Sequence, residues 1–123
     1  MSDDVLFQTT QIGDTIVVEP TRNMGEFEMA EIDATQDSAF QQLVRLAGTN
    51  HVVMDLGQTD YFGSSTIGLF NRFVNHVKAG DRRIAFCNLS KHEQEIIDIT
   101  RMNQLWEVRQ TRDEALAYVT AAG

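Results

Sequence analysis

The sequence predicts an α/β domain with a mixed, largely parallel β-sheet under helical cover. Three observations carry this. Two β-branched segments near the start are joined by Gly13-Asp14, which reads as a hairpin. After them the hydrophobic period switches repeatedly between the helical 3.6 and short, nearly uninterrupted apolar runs. Finally, two S/T-x-x-E patterns mark helix starts late in the chain, at Ser90 to Glu93 and Thr111 to Glu114.

Taken in order, the hairpin spans Val5 to Gln11 and Thr15 to Glu19, and Pro20 ends its second strand because proline has no N–H to give the ladder. Thr21 to Thr35 reads as a long loop with a short edge strand around Phe27 to Glu31. From Asp37 the residues Ala39, Phe40, Leu43, Val44 and Ala47 form one apolar helical stripe, stopped by Gly48. His51 to Leu56 has too few polar residues to face water and is expected as a central strand. A turn from Gly57 to Gly63 leads into a helix beginning near Ser64 or Ser65, with Ile67, Leu69, Phe70, Phe73, Val74 and Val77 on its apolar arc and Gly80 at its end. Arg82 to Asn88 is a third interior strand. The next helix is expected to turn Ile96, Ile99 and Met102 inward, and Leu105 to Arg109 to form a last short strand that includes Trp106. The final helix carries Ala115, Leu116 and Val119 on its apolar side. The order β-β-α-β-α-β-α-β-α requires crossover connections and hence parallel neighbours. No repeat or linker interrupts it, so residues 1–123 are expected to form one domain.

Composition narrows the function. With 18 Asp plus Glu against 10 Lys plus Arg, the formal charge is −8, which argues against nucleic acid and anionic membrane as partners. The acidic start lacks the apolar run of a signal peptide, and no stretch approaches the ~20 apolar residues that span a bilayer. Direct membrane insertion is therefore not expected, and a cytoplasmic location is. Cys87, the lone cysteine, lies in an apolar run and reads as a buried, reduced thiol.

The distinctive segment is Tyr61-Phe62-Gly63-Ser64-Ser65-Thr66-Ile67-Gly68, which follows a buried strand and opens a helix with three hydroxyls in its first turn. Unpaired N–H groups and the positive dipole end favour an anion there. The plainer reading is that the hydroxyls serve only as caps. Enzyme readings fail on particular residues. Leu69-Phe70 stands where a P-loop needs Lys-Ser/Thr, and Ile67 takes the last glycine of a nucleophile elbow. Asp55 and Asp60 flank the turn as in an aspartyl-phosphate receiver, but the N-terminal hairpin does not fit that arrangement. His51, His76 and His92 show no metal-ligand spacing. No catalytic residue, metal or cofactor is expected.

The segment Val52 to Leu56 followed by Tyr61 to Gly68 resembles the STAS domain family of anti-sigma factor antagonists, whose pattern is a hydrophobic strand and then roughly Asp-Ser-Ser-Gly-Leu-Gly opening a helix. Met102 to Val108 with Asp113 to Leu116 is similar to the family's closing strand and helix, and Glu31-Ile32-Asp33 to its Gly-Glu-Leu-Asp segment. The resemblance covers nearly everything from Val5 to Ala121.

What it implies is a STAS-type domain whose mixed sheet of four to five strands carries about four helices mainly on one face. It also implies a non-catalytic protein-binding switch. In such antagonists a partner that is both anti-sigma factor and serine kinase phosphorylates the serine after the motif aspartate, here Ser64, with Ser65 as the alternative; a serine phosphatase would reverse it. Tyr61, Phe62, Gly63, Ser65, Thr66 and an exposed edge around Leu69 and Arg72 would form the docking surface, with Asp33 nearby. Gly63 stands where the pattern has aspartate, and Thr66 where it has glycine. Two other readings stay open: an unphosphorylated STAS scaffold in a larger complex, and an anion- or nucleotide-sensing domain. A homo-oligomer is compatible with all three.

Overall fold

The computed structural model describes residues 6–23 and 38–121. Val5, the edge strand expected around Phe27 to Glu31, most of the expected loop and Asp33 lie outside the described residues.

Five strands form one sheet in the order β1-β2-β3-β4-β5: β1 (Phe7–Ile12), β2 (Thr15–Pro20), β3 (His51–Asp55), β4 (Ile84–Cys87) and β5 (Glu107–Val108). The expected hairpin is present, with β1 antiparallel to β2 and Gly13 at φ +60° in its turn. Every later pair is parallel. Four helices accompany the strands: α1 (Ala39–Ala47), α2 (Ser64–Ala79), α3 (Lys91–Thr100) and α4 (Arg112–Thr120). The sheet is therefore mixed and the architecture α/β, as expected.

The layering follows from the strand order. Each crossover from β2 to β5 advances in the same direction, and parallel crossovers keep one hand, so the three intervening helices land on one face. The main core accordingly joins Leu43 of α1, Phe70 and Phe73 of α2 and Ile97 of α3 to Ile16, Val18, Val52, Met54, Ile84 and Phe86 of the sheet. The alternate strand residues Val17, Val53, Ala85 and Cys87 point the other way and are covered by Ala115 and Val119 of α4. Burial on both faces explains why these strands read as apolar runs.

Two expectations need correction. Ile99 does not point inward; it is 81% exposed, whereas Ile97 is fully buried. The capping box sets the phase: Glu93, itself fully buried, and Ile97 lie four residues apart on one side, and Ile99 sits 200° of helical rotation from Ile97. Trp106 precedes the last strand rather than lying in it. A 3-10 turn at Met102–Gln104 brings its ring flat against Phe86, with centroids 4.3 Å apart, and Asn71 accepts its indole N–H at 3.2 Å. β5 itself is only two residues long.

Candidate functional site

The site begins where β3 leaves the sheet. Asp55, the last residue of β3, is 3% exposed, and its two carboxylate oxygens are engaged separately. Oδ1 accepts from the Gly57 amide at 2.9 Å and from Asn88 Nδ2 at 3.0 Å. Oδ2 accepts from Arg112 Nε at 2.8 Å, and the same guanidinium meets Glu19 Oε1 at 3.0 Å. Burial by itself would raise the Asp55 pKa, but hydrogen bonds from Asn88, Gly57 and Arg112 together outweigh it and hold the carboxyl below its ordinary 3.8. An anion so fully engaged is not poised as a phosphoacceptor, which disposes of the receiver comparison. It is instead the anchor of the turn.

That turn is tied down from three further sides. The Asn23 side chain clamps Asp60, accepting from its amide at 2.9 Å and donating to its carboxylate at 2.6 Å. Ser90, the cap of α3, donates its hydroxyl to the Asp60 carbonyl at 2.7 Å. Glu93 does two jobs at once. Oε1 accepts from the Ser90 amide, completing the capping box, while Oε2 accepts the hydroxyl of Thr59 in the turn. Phe62 then plugs into the core, edge-on to Phe70. The polypeptide reaches the start of α2 with little slack.

At that start the cap residue is Gly63 itself, in extended conformation (φ −90°, ψ −178°), and no side chain caps the helix. The three hydroxyls are therefore not the caps the plainer reading would make them; they occupy the first three helical positions. Ser64 is exposed, Ser65 half-buried and Thr66 buried at 1% exposure. Ser64, Gly68 and Arg72 recur at four-residue spacing along the solvent side of α2. A methyl group built on Gly68 would meet no atom within 4 Å, and the Arg72 guanidinium lies 4.3 Å over the Phe40 ring. Tyr61, 42% exposed, rests against His92 with ring centroids 5.2 Å apart.

The structure thus places Tyr61, Ser64 and Arg72 at the surface of the turn and α2, with Ser65 half-buried. It places Phe62, Gly63, Thr66 and Leu69 inside. Leu69 is the clear correction: it is fully buried, since the apolar arc that seats α2 on the sheet claims it, and it cannot belong to an exposed edge. The Asp55–Arg112–Glu19–Asn88 cluster was not legible in advance. Its members come from β3, α4, β2 and the end of β4, and no sequence spacing links them. Among the described residues no group of three or more His, Cys, Asp or Glu could hold a metal ion, and no helix is long and apolar enough to cross a membrane.

The profile of the STAS domain matches residues 7–115 of this chain. The chain belongs to the STAS domain family. Solved STAS-type structures share its fold at low identity. An anti-sigma-factor antagonist (STAS) domain protein from Planctomyces limnophilus superposes with a TM-score of 0.71 at 21% identity, covering 94% of this chain and 98% of that one. The anti-sigma factor antagonist SpoIIAA in its unphosphorylated form gives a TM-score of 0.66 at 15% identity, covering 95% and 98%. A Thermotoga maritima protein, TM1081, described as a candidate anti-sigma factor antagonist, gives 0.75 at 12% identity, covering 92% and 93%. No curated protein matches this STAS chain by sequence.

Proposed function

We propose that the whole chain acts as one cytoplasmic STAS domain of the anti-sigma factor antagonist kind, a binding protein without catalysis of its own. Its docking surface is the part of the turn and α2 that carries Tyr61, Ser64, Ser65 and Arg72, with Phe62, Gly63 and Thr66 forming the floor beneath and Asp33 as a further contact. The partner is an anti-sigma factor that is also a serine kinase. Phosphorylation of Ser64 rejects it, and a serine phosphatase restores binding. The observation that supports this best is an exposed serine at the first helical position, presented by a turn anchored from four directions.

The chemistry is consistent with the placement. The Ser64 hydroxyl oxygen would attack the γ-phosphorus of ATP held by the kinase, ADP would leave, and the hydroxyl proton would pass to a base of the kinase. The product phosphate would stand at the positive end of the α2 dipole, so the free phosphoprotein would keep its fold. In the complex the same charge, about −1.5 to −2, would land in the contact surface, where an unpaired ion costs several kcal/mol. A second reading, a scaffold that is never phosphorylated, is favoured by Gly63, which leaves the site without the acidic residue of the family pattern.

Incubation with ATP and each GHKL-type kinase of the source organism, followed by mass spectrometry, tests the proposal. Phosphate is expected on Ser64, absent in Ser64→Ala, and kinase affinity should fall at least a hundredfold in Ser64→Glu. Binding that is unchanged in Ser64→Glu would favour the scaffold. No binding to any kinase would sink the antagonist reading altogether.

A further inference from the structure

Four large apolar side chains among the described residues are exposed, and two of them, Tyr61 and Ile99, lie at opposite ends of one strip along α3. Tyr61 touches His92. From there His92, Ile96 and Ile99 follow at i, i+4 and i+7, the spacing a helix shows to another helix packed against it. A groove of about 470 Å³ runs along this side, lined by His92, Glu95, Ile96, Asp98 and Ile99. Its rim is acidic. Glu95 and Asp98 enter no ion pair among the described residues, although Gln94 donates to Asp98 at 3.1 Å. Lys91 and Arg101 stand only at the two ends of the helix.

We infer that the strip Tyr61–His92–Ile96–Ile99 is an interaction surface for an amphipathic helix of a partner protein, one whose apolar stripe is flanked by Lys or Arg. Apolar contact along the strip would supply affinity, and the Glu95 and Asp98 carboxylates would select a basic flank and reject an acidic one. Because Tyr61 belongs to the docking turn, this extends the proposed partner contact from α2 onto α3 and rests on that reading.

The test uses the full chain labelled with nitrogen-15 and two synthetic helical peptides, each with a leucine stripe, one flanked by lysine and one by glutamate. The lysine peptide should shift the resonances of Tyr61, His92, Ile96 and Ile99, and the glutamate peptide should shift none. Ile99→Glu should weaken the lysine peptide at least tenfold. The double variant Glu95→Lys with Asp98→Lys should do the same without altering the apolar strip, and the labelled spectra show directly that both variants fold. Shifts scattered over the acidic surface, or unchanged affinity in Ile99→Glu, would overturn the inference. So would a dimer of the chain alone that Ile99→Glu dissociates, since a second copy would then cover the strip. Kinase binding by the Ser64 variants is read separately, so a failure of the docking switch and a failure of the strip give different results.

Discussion

Replacing Asp55 by asparagine keeps the volume of the side chain and removes its charge. One oxygen remains to accept from Gly57 and Asn88, or else from Arg112, but an amide NH2 now confronts either the Arg112 guanidinium or the Gly57 backbone N–H, both obligate donors. Breaking a buried, hydrogen-bonded ion pair costs about 3–5 kcal/mol. Arg112 is 33% exposed and still paired with Glu19, so water and that second carboxylate recover part of the loss, and about 3 kcal/mol is the working figure. At roughly 2.1 cal/mol/K of unfolding entropy per residue, a 123-residue chain should lose about 12 °C of Tm. Urea unfolding at pH 7 should show a lower midpoint with an unchanged slope. The pH dependence supplies the sharper check. The Asp55 pKa is depressed in the folded state, so its contribution is full above the unfolded value of 3.8 and is lost as pH falls through the lower folded value. The gap between wild type and Asp55→Asn should therefore be flat from neutrality to about pH 5 and close progressively in stronger acid. A loss under about 1 kcal/mol at pH 7, the scale of a surface pair, or a gap that widens in acid, would refute the view that this carboxylate anchors the turn.

Two further outcomes can be checked on the same protein. Gly68→Ala, at an exposed helical position with open space around it, should stabilise the chain by about 0.8–1 kcal/mol, read as a higher urea midpoint. Cys87 is fully buried, and its thiol is pushed up to about 12, chiefly by burial and then by the nearby Asp55 charge; a thiol reagent at pH 8 should modify it only at the rate at which the protein unfolds.

Much of the fold was legible because local signals agreed with one another. Gly13-Asp14, the arc from Ile67 to Val77 and the two capping boxes each specify an element without reference to distant parts of the chain. The misplacements arise where tertiary contact decides. For α3, apolar periodicity offers Ile96, Ile99 and Met102 as inward residues, and what turns Ile97 inward in place of Ile99 is Glu93, which is drawn inside to hold Ser90 and Thr59. The site was legible in outline for a similar reason. A serine-rich helix start after a buried strand can be read from composition, whereas the anchors of the turn lie at Asn23, Ser90, Asn88 and Arg112, up to 57 residues from the side chains they hold. Leu69 marks the boundary between the two cases. Proximity to Ser64 in sequence suggests surface, but helical phase places it against the sheet.

The rigidity of that turn bears on how a phosphate could act. Were the segment loosely held, phosphorylation could switch binding by rearranging it. Here Asp55, Asn23, Ser90 and Glu93 fix it from separate elements, and Phe62 is locked in the core. Moving it would mean breaking several hydrogen bonds, each worth about 0.5–1.5 kcal/mol and more where a carboxylate takes part. A phosphate at Ser64 would have no need to do so, because a helix N-terminus favours an anion where it would be formed. Under the proposed function, the economical switch would therefore be a change of surface charge on an unmoved backbone. Each 1.4 kcal/mol of uncompensated charge at the interface weakens binding tenfold, so a penalty of about 3–5 kcal/mol for one buried unpaired ion suffices for at least a hundredfold rejection. The same reasoning makes Gly63 consequential. With glycine rather than aspartate at position 63, the unmodified surface is one charge less negative there than the family pattern would make it, and a phosphate would bring a correspondingly larger relative change to the spot where the partner would sit.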